Sequence, residues 1–390
     1  MMHICHCISD TNIGGAGVLL TTLLSCADTK QYRFSVLLPQ NSLLIPRLSA
    51  TGAEIIPVPV RGDVSFSPRA LFVYMRTLRR LSPDVVHTHG CMTARVAARL
   101  STRAKIAVTR HCAWSDRPYY HGIRRFFSML SAKLFADGYI ATAEAARTDL
   151  LRMGVPDARI VTIPNGSKRA RTVTRAEKAA FLRRYGLSDG DFTVGLCARL
   201  SPEKSIETLL YAMAELRRRL PNAPIRAVIA GTGGEYERLV RLKEELSLGT
   251  SVVLTGFLAD TAPLYACLSV AASCSVGTET SCLALSEAMA RGLPLVACDY
   301  GGTPFLCKNG ESGILFPPKD HVAMARAIEA LYSDPLLYRR FSLGAFSRYL
   351  AHFSAEKMAA SYAEFYENMT RVAEKRRFFR RFSAEIPPKG

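Results

Sequence analysis

The sequence predicts an α/β protein of two Rossmann-like, doubly wound parallel-sheet domains. Three observations carry that reading. Short apolar runs alternate with helical patterns along the chain, as strands joined by crossover helices do, and such sheets are covered on both faces. The alternation breaks once, at the polar, basic and aperiodic stretch Ser167–Arg175, and then resumes. At 390 residues the chain is long for one domain and comfortable for two.

The first series opens with a strand at His3–Ile8, a Gly-containing loop at Asp10–Gly17 and a helix at Val18–Cys26. Gly14 and Gly15 in NIGGAG let the backbone approach a ligand, and the helix start offers N–H groups to an anion. Strands follow at Phe34–Leu38, Glu54–Val60, Asp84–His89, Lys105–Arg110, Gly138–Thr142 and Arg159–Ile163. Helices fall between them at Arg69–Leu81, Thr93–Leu100 and Ala145–Met153. Ligands of such sheets bind at the carboxyl ends of the strands. His87, His89 and His111 all fall there, and His111, directly after KIAVTR and before a loop, is the best functional candidate of the three. His6 lies between Cys5 and Cys7, but neighbouring strand positions face opposite ways, so the trio does not read as a metal site.

Tyr120–Phe135 is a basic amphipathic helix. Ile123, Phe126, Phe127, Leu130 and Leu134 share one stripe, flanked by Arg124, Arg125 and Lys133. The stripe faces either the core or an anionic lipid surface. IPNG, Ile163–Gly166, ends the first series, and 167–175 is taken as the linker.

The second series has strands at Phe192–Cys197, Ile225–Ala230, Ser251–Thr255, Val270–Ser275 and Leu295–Cys298. Its helices include Ile206–Leu220, Tyr236–Leu246 and His321–Tyr332. Arg199 and Lys204 sit just past the first of these strands, where a fork and a point charge suit a diphosphate. The Gly-rich turn Gly231–Glu235 lies at the same edge. Within the stretch Val276–Asp299 two glutamates lie eight positions apart. Glu279 falls in a loop before a helix and Glu287 falls inside it, with Gly292 and Pro294 ending the helix. Carboxylates accept from sugar hydroxyls, while free helix N–H groups favour phosphate. Domain boundaries follow: 1–166, then 176–356, with a helix at about 357–383 packing back on the first domain and a tail at 384–390.

Hydrophobic residues make up 48% and charged residues 22% of the chain, which excludes a disordered protein. The net charge of +18 implies an anionic partner. Eleven cysteines are scattered without paired CxxC blocks, which fits reduced thiols and a cytoplasmic place. No leader is evident in MMHICHCISD, and no apolar run reaches membrane-spanning length, so any membrane association is expected to be peripheral. The late segment Arg371–Ser383 alternates cations with Phe378, Phe379 and Phe382, which suits a frayed basic helix or a bilayer face. No nucleic-acid fold signature accompanies the charge.

An ordered set of segments resembles the retaining glycosyltransferases of family 4, which have two Rossmann-like domains facing a cleft, the GT-B arrangement. The set is NIGGAG, DVVHTHG, IPNG, GLCARLSPEKSIETLL, IAGTGGEYERL, VVLTGFL and ETSCLALSEAMARGLPLVACDYGG, and it covers nearly the whole chain. The resemblance implies a nucleotide-diphosphate sugar, UDP- or GDP-linked, held mainly by the second domain. Arg199 and Lys204 would bind the diphosphate, Glu287 the ribose hydroxyls and Glu279 the sugar. Backbone N–H groups of Thr280, Ser281, Cys282 and Leu283 would hold sugar or phosphate. Gly14 and Gly15 would bring first-domain N–H groups to the phosphates, and His111 would face the transferred sugar. Members generally work without a metal, so no cofactor is expected.

The expected acceptor is a glycan or lipid-linked precursor in cell-envelope polysaccharide synthesis, the lipid-linked form resting on the basic first domain and the basic helices. The basic helices add an anionic membrane surface as a partner, at the inner face. The alternative is a catalytically silent scaffold on the same fold. Three positions depart from the family pattern. Thr280 and Ser281 stand where Gly or Phe is frequent, Pro304–Phe305 replaces Pro–Glu, and Lys168 replaces the acid of NG-x-D.

Overall fold

The computed structural model of the chain describes residues 1–111, 121–169, 171–277 and 281–371. It divides into two units, Met1–Gly166 with Ala355–Gly390, and Ser167–Ser354.

The first unit is a seven-stranded, wholly parallel sheet. Its strands are β1 (Met2–Ile8), β2 (Tyr32–Pro39), β3 (Glu54–Val58), β4 (Val85–His89), β5 (Lys105–Arg110), β6 (Gly138–Ala141) and β7 (Ile160–Thr162), in the order β3-β2-β1-β4-β5-β6-β7. The order reverses between β1 and β4. Loops leave in opposite directions there and open a crevice at the carboxyl edge. The two-residue period of β1 divides the core in two. Ile4 and Ile8 pack on one face, against helix Gly15–Cys26 and helix Ala355–Thr370, while Cys5 and Cys7 pack on the other with Tyr74 and Val86. The helix Ala355–Thr370 belongs to this unit and buries Tyr362, Phe365 and Tyr366 in its core. The basic stretch with Phe378, Phe379 and Phe382 lies outside the described residues.

The second unit is a six-stranded parallel sheet of β8 (Phe192–Cys197), β9 (Ile225–Ala230), β10 (Val252–Gly256), β11 (Val270–Ser273), β12 (Leu295–Cys298) and β13 (Gly313–Phe316), in the order β10-β9-β8-β11-β12-β13. It reverses between β8 and β11. Two doubly wound parallel sheets, as the alternation predicts, are therefore present. β13 escaped the sequence reading because four residues give too short a run to separate from a buried turn.

The stretch 167–175 is more ordered than its composition suggests. Ser167 is buried, its N–H donates to Phe353 O at 2.9 Å, and Tyr349 donates to its carbonyl at 3.0 Å. Thr174 opens helix Arg175–Tyr185 with a capping box to Glu177, and Gly186 closes it at φ 63°. The signal was present as T-x-x-E, but the basic residues around it read as a tether.

The amphipathic helix settles as Gly122–Phe135, and Ala132 is its one fully buried residue. Its apolar stripe does not face the core. Ile123, Phe126 and Phe127 are 72%, 54% and 59% exposed, and Leu130 and Leu134 also lie open.

Candidate functional site

In the second unit the candidate residues gather at the β8/β11 reversal. Arg199 follows β8 by two residues, and Lys204 ends a 3-10 turn at Pro202–Lys204. The Gly-rich turn fixes this loop. Leu200 N–H donates to Thr232 O, and Glu235 N–H donates back to Leu200 O. A Cβ on Gly231 would stand 1.8 Å from Ala198 O, and one on Gly233 would stand 2.1 Å from Leu200 O. No other residue type fits so close to the ARL backbone, and Gly231 also has φ +142°.

Glu203, which the sequence reading passed over, ties the site together. Its carboxylate takes Arg199 at 3.2 Å and the Ser201 hydroxyl at 2.6 Å, and its carbonyl accepts from Val276 N–H at 2.9 Å. The Ser201 hydrogen bond and the Arg199 cation hold its acid below the usual carboxylate range, against a smaller opposing effect of burial. The loop after β11 is thereby pinned to the loop after β8. A Cβ on Gly277 would meet the Glu203 side chain at 2.4 Å, which keeps that approach for glycine. Arg199 itself is 72% exposed.

Glu287 rides on the short helix Leu283–Met289 and is half-buried. Burial pushes its carboxyl up, and a hydrogen bond from Tyr265 partly offsets this. Its charge in turn reaches Cys197, the last residue of β8, whose thiol is pushed up to about 12 mainly by burial and then by Glu287. So Arg199, Lys204 and Glu287 share one edge of one sheet. Ser281, Cys282 and Leu283 lead into the helix of Glu287 and are partly buried. Glu279 and Thr280 lie outside the described residues.

In the first unit, Gly14 caps the helix Gly15–Cys26 at the β1/β4 reversal. A Cβ on Gly14 or Gly15 would meet nothing within 4 Å, whereas one on Gly17 would stand 2.3 Å from Leu44 Cδ2. Gly14 and Gly15 are open, and Gly17 is a packing glycine. Beside them Asp10 has its carboxyl raised to about 6, by burial first and by the Asp63 charge second. The sequence reading did not single it out, although an acid at the carboxyl end of a buried strand was a readable signal.

The histidines form the densest polar feature of this unit. Parallel register sets His6 beside His87 and Ile8 beside His89. His6 Nδ1 lies 3.0 Å from His89 Nε2, and His89 Nδ1 lies 2.9 Å from His111 Nε2. His87 joins the Tyr366 hydroxyl at 2.6 Å through Nδ1 and the Thr109 hydroxyl at 2.7 Å through Nε2. Burial keeps these rings neutral. It takes His6 down to about 3 and His111 down to about 4, the latter with help from Arg110, and it holds His87 and His89 well below the ordinary imidazole value.

His6, His87 and His89 bring ring nitrogens within 4.8 Å of one another, the one set of described residues with metal-ligand spacing. Five of their six ring nitrogens are already in hydrogen bonds to imidazole or hydroxyl partners, and no carboxylate joins the set. A divalent cation would have to break those bonds and lie buried without a counter-charge, which is costly. The set therefore suits a hydrogen-bonded imidazole chain rather than a resident metal. His6 was dismissed as a ligand on the correct ground that Cys5 and Cys7 face the other way. What the sequence hid was the inter-strand register that pairs it with HTH.

Family models match both halves of the chain. One described as Glycosyltransferase Family 4 covers residues 13–171, and one described as Glycosyl transferases group 1 covers residues 191–334. A putative glycosyltransferase, EpsD of Bacillus subtilis, is 29% identical over 74% of this chain and 78% of its own length. The D-inositol 3-phosphate glycosyltransferase of Nocardia farcinica is 28% identical over 72% of this chain and 66% of its own. A GDP-mannose-dependent phosphatidylinositol monomannoside mannosyltransferase of Mycolicibacterium smegmatis is 32% identical, but only over 46% of this chain and 49% of its own. Among solved structures, Anabaena Alr3699/HepE in complex with UDP superposes with a TM-score of 0.79 at 21% identity, over 94% of this chain and all of that one. A Rickettsia africae glycosyltransferase gives 0.81 at 16% identity, over 95% and 99%.

The protein is thus an enzyme of the sugar-transferring class, with the GT-B fold. More particularly, it is a glycosyltransferase whose first half matches the family 4 model and whose second half matches the group 1 model.

Proposed function

We propose that the enzyme moves a hexose or amino-sugar from a UDP- or GDP-sugar, with retention at the anomeric carbon, to a glycan or lipid-linked acceptor in cell-envelope polysaccharide synthesis. The observation that carries this reading is the convergence of Arg199, Lys204 and the desolvated Glu287 at one sheet edge, on a loop held by Gly231, Gly233 and Glu203. That edge offers cations for a diphosphate and an acceptor for ribose hydroxyls in one place. Charge builds on the β-phosphate as the nucleoside diphosphate departs. Fixed positive groups there lower the barrier by several kcal/mol, on the order of what oxyanion donors supply elsewhere.

Glu279 and the N–H groups of Thr280, Ser281, Cys282 and Leu283 are proposed to hold the sugar, and in the first unit Gly14, Gly15 and His111 are proposed as ligand-binding residues. The relatives, which include a GDP-mannose-dependent mannosyltransferase, support a nucleotide-sugar donor. No helix among the described residues is long and apolar enough to cross a membrane. The open apolar stripe of Gly122–Phe135, rimmed by Arg124, Arg125 and Lys133, supports peripheral seating on anionic lipid.

Thermal shift against UDP, GDP and their sugars tests the donor site. A ligand at about 100 times its Kd adds roughly 2.7 kcal/mol, a rise of a few degrees for a protein of this size. Arg199→Ala and Lys204→Ala should each weaken the rise, and Glu279→Ala should abolish transfer. A protein that no nucleotide stabilises, and that consumes no nucleotide sugar, would instead be the silent scaffold.

A further inference from the structure

We infer that Tyr265 is a positioning residue of the donor site: its buried hydroxyl holds the helix that carries Glu287 and orients the Glu287 carboxylate for the ribose hydroxyls. The inference deepens the proposed function, since it rests on Glu287 receiving those hydroxyls.

Helix Leu283–Met289 is seven residues long, and Cys282 at its start supplies no side-chain cap. An isolated helix of that length does not hold together in water, so contacts from outside must fix it. Leu285, Ala288 and Met289 seat it on the core by burial, which has no direction. Among the described residues its directed contacts come from two hydroxyls. Ser286, on the helix itself, lies 2.7 Å from Ser167 Oγ and donates to the Phe353 carbonyl at 3.3 Å. Tyr265, from helix Ala262–Cys267, donates to the Ala284 carbonyl at 3.0 Å.

Tyr265 is 3% exposed. Packing alone would be met by Phe there, because a buried phenol O–H must find a partner. Ala284 lies three residues before Glu287, and a helical side chain leans back over the turn before its own Cα. The hydroxyl that meets the Ala284 carbonyl therefore lies beside the Glu287 carboxylate, and it draws that acid back towards the ordinary range against burial. The titratable groups clustered with it are Cys197 at the end of β8 and Cys282 ahead of the helix, with Arg199 and Lys204 at the same sheet edge. A phenol has one proton to give. With that proton shared between carbonyl and carboxylate, one carboxylate oxygen is fixed and the other stays open to ribose hydroxyls.

Calorimetric binding of UDP and GDP to the full-length protein between pH 5 and 8 tests this, with the tighter of the two as probe. Glu287→Gln should remove the part of the acid limb that belongs to Glu287 and so separate it from titration of the nucleotide's own phosphate. Tyr265→Phe should raise Kd at pH 7 about fivefold, the factor that one hydrogen bond of ordinary net strength equals. It should also move the Glu287 limb up by about one pH unit, because the carboxylate loses a donor that favours its charged form. In transfer, donor KM should rise by the same factor while kcat holds, as for a contact made equally in ground and transition states. Replacing Tyr265 with 3-fluorotyrosine, a stronger donor of nearly the same shape, should move the limb down instead. A merely structural ring would not do so, and this protein decides the matter if Tyr265→Phe does not fold. An unmoved limb in either variant, or an unchanged Kd in Tyr265→Phe, would overturn the inference. If the unsubstituted protein binds neither nucleotide, or Glu287→Gln changes nothing, the proposed role of Glu287 fails and the inference with it. Tight binding with a Glu287 limb that ignores position 265 removes Tyr265 alone.

Discussion

Gly15 and Gly17, two residues apart in the first turn of one helix, are glycines for different reasons. A Cβ on Gly15 meets open space, and the residue lies in a helix, where Ala is the better former by up to about 1 kcal/mol. Gly15→Ala should therefore keep or slightly raise the melting temperature. If a donor phosphate lies against that backbone, kcat/KM should nevertheless fall. Gly17→Ala should do the reverse. Its Cβ collides with Leu44, which costs on the order of 1–3 kcal/mol, while turnover per folded molecule stays near normal. Denaturation and kinetics of the pair separate the two roles, and loss of stability in both variants would remove Gly15 from the ligand side. From the sequence NIGGAG reads as one loop, because only the placement of Leu44 tells its glycines apart. Arg199 and Lys204 were legible from their place after a strand. Glu203 was not, since an acid between two cations looks like surface compensation until its carbonyl is seen holding Val276.

Helix Gly122–Phe135 shows where periodicity stops deciding. Its stripe at i, i+3, i+4 and i+7 is what a core-facing helix and a membrane-facing helix both carry. Exposure separates them, and here Phe126 and Phe127 lie more than half in solvent. Replacing both with Ser should change folding stability by no more than about 0.5 kcal/mol, as for ordinary surface positions. Each ring placed in a bilayer interface contributes roughly 1.5–3 kcal/mol, so the same change should cut binding to anionic vesicles at least tenfold. Flotation with and without salt measures this, and the cationic rim should make the unsubstituted protein's binding salt-sensitive. Binding that survives the double change would remove this helix as the contact. The strands that were read lie within two residues of their observed bounds, because buried parallel strands are dense apolar runs. Helix Arg175–Tyr185 was lost behind its basic neighbours and β13 behind its brevity.

At the scale of the molecule, the buried histidines make the first unit acid-labile. His6 and His111 have folded values near 3 and 4, below the unfolded imidazole value of about 6.5. Above 6.5 both states are neutral and the stability is fully present. As pH falls from about 6.5 towards 4, the unfolded chain takes up protons that the folded chain refuses, so stability is lost. His87 and His89 act in the same direction. Asp10 opposes them. Its folded value near 6 exceeds the unfolded one near 4, so acidification across that window adds stability through this one group. Four imidazoles outweigh one carboxyl. Midpoints of urea unfolding should drop between pH 7.5 and 5, and His6→Leu should make the drop shallower. A flat profile would mean that the rings protonate within the fold.

The sequence by itself determined the two alternating series, the break between them, the glycine turns and the charged residues past strand ends. All of these are local patterns set by backbone geometry and by the two-sided burial of parallel strands. Only the tertiary structure decided which residues became neighbours. Strand order brought the loops after β8 and β11 together, and register joined His6 to HTH, because pairing across a sheet depends on contacts far apart in the chain that no local period encodes.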